Sequence, residues 1–311
     1  MSALNLQDLQ AEALRPPPSG RTGFVALLGR PNTGKSTLLN TLLGCHLAAV
    51  SNKPQTTRKQ LLGIYNDDDS QILFLDAPGV HQSKLAIDEA MDLSICKALE
   101  EADVLVCLLD PLREPGTEDG MVALLAAKSA KPVLLVLNKT DAATPEQRQQ
   151  MLEFYRHDLP EAPVFNLTAT SKESAHELIG VLKTMLPEGV FLFDRESITD
   201  VYERDVAAEL IREALLEELQ QEIPHCIAVT IDSWTAQESG IAISATLNLE
   251  RENHKGIIIG QGGRMIRHLR QLASDKIARF CQTKVTLALH LKIVPNWRKK
   301  NNQLRNFKLL D

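Results

Sequence analysis

Aromatic residues are scarce in this 311-residue chain, at 4% of the total, so its cores must be built mainly from Leu, Ile, Val and Ala. No apolar run approaches the ~20 residues that span a bilayer. Runs such as Val104–Leu109 and Val133–Leu137 have the length of buried strands. The first 20 residues lack a basic stretch followed by an apolar core, so no secretory signal is expected. Paired cysteines are missing as well. Cys45, Cys96, Cys107, Cys226 and Cys281 stand singly without a C-x-x-C, which argues against a disulfide framework or a zinc site. A reducing cytoplasm is the expected compartment.

The length suits two domains. Whole-chain charge is −6, but it is unevenly spread. Residues 251–311 hold 14 Lys and Arg against 3 Asp and Glu, leaving the preceding part of the chain strongly acidic. Such asymmetry points to a partner with a negative surface, nucleic acid or anionic lipid; a solvated basic tail is the bland alternative.

Residues 1–20 end in Pro16-Pro17-Pro18-Ser19-Gly20 and are expected to be a non-helical arm. From 21 to 188, buried apolar strands alternate with amphipathic helices, the pattern of a mostly parallel sheet covered on both faces. Asn66–Asp69 predicts a turn between two early strands and hence an antiparallel hairpin. Periodicity lapses over 189–203, a predicted linker. Over 204–295 the order is helix, hairpin, helix and strand, a small α+β domain, and 296–311 are expected to be a basic tail.

The strand Phe24–Leu28 runs into Gly29-Arg30-Pro31-Asn32-Thr33-Gly34-Lys35-Ser36-Thr37 and an apolar helix. This is a phosphate-binding G-x-x-x-x-G-K-S in its required strand–loop–helix setting. The glycines let backbone N–H groups turn inward around phosphate oxygens, Lys35 supplies charge, and the Ser36 hydroxyl can ligate Mg²⁺. Further on, Asp76-Ala77-Pro78-Gly79 ends a strand, where Asp76 suits a water-mediated contact to Mg²⁺ and the Gly79 N–H suits the γ-phosphate. Taken alone, D-x-P-G is a common turn. Another strand delivers Asn138-Lys139-Thr140-Asp141. A carboxylate there accepts from both N1–H and N2–H₂ of guanine; adenine offers neither donor and would leave it unpaired.

In these segments the chain resembles the translation-factor-related GTPases, and in Asn52-Lys53-Pro54-Gln55-Thr56-Thr57-Arg58 it is similar to the first switch of the Era subfamily. The resemblance implies a P-loop GTPase domain with a doubly wound mixed sheet, GTP and GDP as ligands, and slow hydrolysis. Thr57 is implied as a Mg²⁺ ligand, and Thr168-Ala169-Thr170 as the segment that touches the guanine O6. Val80 stands where many small GTPases place a water-orienting glutamine, and valine has no donor or acceptor. Relatives with this substitution use a monovalent cation, K⁺, held partly by the position of Asn32. The water-positioning group is not assigned; His81 is either a helper or a surface-loop histidine.

Ile257-Ile258-Ile259-Gly260-Gln261-Gly262-Gly263-Arg264 places I-I-G-x-x-G between a strand-like apolar run and a helix. A bare G-x-x-G is often only a helix entry. Here it resembles the loop of type II K-homology (KH) domains, which clamps single-stranded nucleic acid, with Lys255, Arg264, Arg267 and Arg270 flanking it. The inner pair, Gln261-Gly262, lacks the basic residue such loops usually carry. Trp297 with Arg298-Lys299-Lys300 offers charge and one stacking surface. The resemblance implies a monomer that binds 16S-type rRNA near its 3′ end and serves small ribosomal subunit maturation. A peripheral contact with anionic membrane is an added expectation. The competing readings are a metabolic P-loop kinase with an incidental basic tail, a tandem-domain ribosome GTPase, an RNA-binding module with a dead nucleotide site, and a membrane GTPase that does not act on RNA.

Overall fold

The computed structural model describes residues 19–51, 53, 56–81 and 85–310. The arm up to residue 18 and the switch residues Asn52, Pro54 and Gln55 lie outside the described residues.

Strand β1 (Ser19–Leu28) leads through the phosphate loop into α1 (Lys35–Leu43). Next come β2 (Leu61–Asn66), β3 (Ser70–Asp76), α2 (Ala86–Glu101) and β4 (Val104–Leu109). The unit continues with α3 (Thr117–Lys128), β5 (Val133–Leu137), α4 (Pro145–Arg156), β6 (Val164–Asn166), α5 (Lys172–Met185) and β7 (Glu188–Val190). The sheet order is β2-β3-β1-β4-β5-β6, with β7 also paired to β1. Its central pairings are parallel, while β2 on β3 and β7 on β1 are antiparallel. The β2–β3 pair is the expected hairpin, closed by Asp67 N–H on Ser70 O.

The apolar runs bury both faces of the sheet. Ala26, Leu28, Leu105 and Leu135 pack with Met151 and Tyr155 on one side, and Val25, Leu27, Val106 and Val136 with Leu38 and Leu178 on the other. Successive residues of one strand thus serve opposite cores, which requires near-continuous hydrophobicity.

The second unit has α6 (Glu203–Glu218), β8 (Ile227–Gln237), β9 (Gly240–Leu249), α7 (Glu252–Ile259), α8 (Arg264–Cys281) and β10 (Val285–Ile293). Its sheet runs β10-β9-β8, with β10 parallel to β9 and β8 antiparallel to it.

The structure departs from the sequence reading in four places. Ser19 and Gly20, expected to end the arm, begin β1 and pair with Val190 and Gly189 of β7. Ile257–Ile259 are not strand-like: they end α7, with Ile258 fully buried and Gly260 at φ 67° terminating the helix. The predicted linker over 189–203 lies along the first sheet. Leu192 and Phe193 N–H groups donate to Gln71 Oε1, and Ile64 N–H to Ile198 O. The segment after β10 is no free tail. Trp297 and Leu304, the latter on α9 (Asn301–Asn306), are fully buried in one cluster with Ile87 and Ala90 of α2. Trp297 is therefore unavailable for stacking on a nucleic acid.

Candidate functional site

The site forms at the carboxyl ends of β1, β3 and β5, the edge where ligands bind in open α/β sheets. Gly34 enters α1 at φ +100°, and a Cβ there would stand 2.4 Å from Asn138 Nδ2, so only glycine fits. That amide nitrogen donates to Thr33 O at 2.8 Å, while Asn138 Oδ1 accepts from Ala169 N–H at 2.9 Å. One asparagine thus ties the phosphate loop to the Thr168–Thr170 segment.

Lys35 is almost wholly buried, and its Nζ donates to Gly29 O and Arg30 O at 3.0 and 3.1 Å. The ammonium is held by carbonyls inside the loop, ready to face anionic oxygens. Burial lowers its pKa to about 8, against the opposing pull of Asp76. Phosphate favours the charged form, so nucleotide binding must take up a proton once Lys35 begins to deprotonate. GTP affinity should be level below pH 8 and fall by up to about tenfold per pH unit above it. Lys35→Arg, whose charge persists, should lack this fall in a binding titration from pH 6.5 to 9.5, once the titration of guanine itself is subtracted.

Ser36 Oγ donates to Asp76 Oδ2 at 2.8 Å and lies 2.9 Å from Thr57 Oγ1. Asp76 is fully buried, and its Oδ1 has no hydrogen-bond partner. Burial raises its pKa, countered by Lys35, Ser36 and Thr57. A cluster of hard oxygens around an orphaned carboxylate oxygen fits Mg²⁺. Gly79 sits against the phosphate loop, where a Cβ would be 2.7 Å from Pro31 N, and Val80 N–H donates to Gly29 O at 3.1 Å. Val80 is buried and His81 is not a surface residue: it is 7% exposed, with Nδ1 3.0 Å from Gly79 O and Nε2 3.2 Å from Asp88 Oδ1.

In the segment Asn138–Asp141, Asp141 is exposed and accepts from Thr168 Oγ1 at 3.2 Å. Thr140 donates from its N–H and Oγ1 to Leu167 O, fixing the loop beside Ala169 and Thr170. Lys139 Nζ pairs with the buried Asp110 at 2.7 Å and donates to Asn32 O at 3.3 Å, so its stem lies along the phosphate-loop side of the cleft. Asp110 escaped the sequence reading, although Leu108-Leu109-Asp110 ends a strand as Phe74-Leu75-Asp76 does. Arg30 belongs to the loop by its backbone only. Its guanidinium is buried away from the cleft on Asp119 Oδ2 (2.6 Å) and on the carbonyls of Asp110 and Glu114.

On the second unit, Gly260, Gln261, Gly262 and Gly263 form the turn between α7 and α8, with Gly262 and Gly263 at φ +61° and +73°. Lys255, Arg264, Arg267 and Arg270 are all exposed around it. Arg264 Nη2 donates to Gln261 Oε1 at 2.6 Å, bringing positive charge to the inner pair that lacks it. Ile257 and Ile259 flank the turn as exposed apolar surface.

Comparisons bear on both units. The family described as 50S ribosome-binding GTPase matches residues 24–139, and the KH domain family matches residues 222–298. The GTPase Era of Lacticaseibacillus paracasei is 38% identical over 286 residues, covering 92% of this chain and 95% of its own. The chain belongs to the Era family of GTPases. GTPase Era of a Geobacter species is 36% identical over 288 residues, covering 92% of this chain and 97% of that one. Two solved Era structures each match at 32% identity and a TM-score of 0.88, over 94% of this chain and 100% of theirs. One is a variant of Aquifex aeolicus Era bound to GDP and AlF₄⁻; the other is Era in complex with MgGDPNP and nucleotides 1506–1542 of 16S ribosomal RNA.

Proposed function

We propose that this protein is a GTP-hydrolysing switch that binds single-stranded rRNA at the 3′ end of the small-subunit RNA and acts in maturation of that subunit. The main support is one structural match that spans both units, to an Era that holds a GTP analogue and a 16S rRNA segment together. In this reading the G domain covers 21–188 and the KH domain 204–295, and one chain carries both faces as a cytoplasmic monomer.

The residues divide the work. Backbone N–H groups of Gly29–Thr37 and the Lys35 ammonium bind the phosphates. Asp141 reads guanine, Asn138 braces the loop, and Thr168–Thr170 close over the base edge. Ser36 and Thr57, with Asp76 through water, would hold Mg²⁺, which when bound neutralises charge building on the phosphate oxygens. The Val80 side chain packs in the core of the first unit and has no group that could orient a water. Gly260–Gly263 lets the nucleic acid backbone approach the start of α8, with Lys255, Arg264, Arg267 and Arg270 meeting phosphates.

Equilibrium titration with labelled GTP tests the nucleotide half: GDP should displace it and ATP should not. A labelled 16S 3′-end fragment and anionic vesicles test the other half. RNA should bind at physiological salt, while tight binding to vesicles with none to RNA would favour the membrane reading, since the same basic face attracts anionic lipid. Equal competition by ATP would contradict guanine selectivity. K⁺ beside Asn32 is the proposed aid to hydrolysis. Val80→Ala should stay within about tenfold of parental turnover, because no hydrogen bond to the attacking water is lost. Replacing potassium by sodium should cost more than that, and identical rates in the two salts would remove the ion from the account.

A further inference from the structure

The segment that follows β10 brings one residue, Trp297, against both Arg58 of the first switch and the start of α2. Trp297 is fully buried and donates from Nε1 to Cys226 O at 3.1 Å, which fixes the indole to the start of the KH sheet. The Arg58 guanidinium lies over its ring, 5.8 Å from the centroid, and donates to Ile227 O at 3.1 Å and His225 O at 2.8 Å. Arg58 is itself buried, and its neighbour in sequence is Thr57 of the Mg²⁺ cluster. On the preceding side, Thr56 O accepts from Arg212 Nη2 of α6. The other flank of Trp297 packs with Ile87 and Ala90 in the first turns of α2. Asp88 in that same turn contacts His81, which touches Gly79 O. A cavity of ≈ 310 Å³ runs beside residues 56–61 and Phe307, leaving room for this segment to shift.

We propose that Trp297 is a positioning residue for GTP hydrolysis: it seats Arg58, and through it Thr57, together with the first turn of α2, whose Asp88 contacts His81. The inference rests on the GTPase reading above. A buried guanidinium between two carbonyls and a desolvated π-face has one good geometry, so contact with the indole fixes where Thr57 stands, and the neighbouring cavity lets that contact loosen when the nucleotide changes. The apolar contact with Ile87 and Ala90 needs only bulk, whereas the seat for Arg58 needs an aromatic face. Replacements can therefore separate packing from positioning.

Two measurements on the full chain test it. Trp234→Phe leaves Trp297 as the only tryptophan of the two, so its emission reports this contact directly. Emission should shift or change in quenching when GDP is exchanged for a non-hydrolysable GTP analogue with Mg²⁺. In steady-state turnover, Trp297→Leu should lower kcat about tenfold at nearly unchanged KM, while Trp297→Phe, which keeps the aromatic face, should stay within about threefold. A purely structural role would lower the melting temperature of both without this split. Emission that is identical in the GDP and GTP-analogue forms overturns the inference, even if Trp297→Leu fails to fold. Undiminished kcat in a folded Trp297→Leu overturns it as well. Failure of the parent chain to bind GTP would instead overturn the GTPase reading itself.

Discussion

Asp141→Asn should turn the protein from a guanine-nucleotide binder into a xanthine-nucleotide binder. In the proposed role the carboxylate would accept two donors on the guanine edge; an amide offers one acceptor and one donor, which clashes with N1–H or N2–H₂ and matches the extra carbonyl of xanthine. GTP affinity should drop by roughly 10²–10³-fold, as expected where a site built for hydrogen bonding is left mispaired. Xanthosine triphosphate should gain in the same assay. The loop should survive the change, because the Thr140 bonds to Leu167 O hold it and an asparagine Oδ1 can still accept from Thr168 Oγ1. Competition between the two nucleotides for the variant gives the answer directly, and GTP affinity that stays at the parental level would remove residues 138–141 from base recognition.

Gly263→Asp should nearly abolish RNA binding while leaving GTP affinity untouched. At φ +73° an aspartate is among the better-tolerated replacements, so the turn itself should persist. A Cβ there would stand 3.2 Å from Arg267 Nη1, so the new carboxylate arrives beside an arginine proposed to meet phosphate. One change thus adds bulk where the backbone must approach, adds a negative charge, and cancels a positive one. Arg267→Ala removes only the last of these: it should weaken binding mildly and reduce the salt slope by about 0.7, the single-strand value per phosphate contact. Fluorescence anisotropy with a 16S 3′-end fragment over a salt series separates the two, and RNA affinity preserved in Gly263→Asp would exclude the turn from the interface.

The candidate nucleotide site was legible in the sequence because its motifs are local. Gly29–Thr37, Asp76–Gly79 and Asn138–Asp141 are short runs at strand ends, and the fold brings these contiguous motifs to one sheet edge. What escaped is non-local. Arg30 looks like part of the phosphate loop, and only the packing of α3 shows Asp119 claiming its guanidinium. His81 looks solvent-exposed until Asp88 of α2 folds over it. Ile257–Ile259 have the β-branched composition of a strand, but burial of Ile258 and the left-handed Gly260 make them the last turn of a helix, tertiary context overriding propensity. The basic composition of the final 15 or so residues made Trp297 look like a free stacking surface and hid its burial with Leu304, since two apolar residues are too few to give a periodic signal. Arg58 carried no sign at all of its partners, which lie about 170 and 240 residues further along the chain.

A switch requires that each ligand feel the other, so the nucleotide and RNA sites must be linked. The most direct measurement is the affinity of the intact protein for the 16S 3′-end fragment in its GTP-analogue, GDP and nucleotide-free forms, paired with GTP affinity at saturating RNA. The RNA affinities should differ between the GTP-analogue and GDP forms, and RNA should shift the preference for the analogue over GDP by the same factor. Equal RNA affinity in all three forms, with nucleotide affinities indifferent to RNA, would mean two tethered modules and no switch.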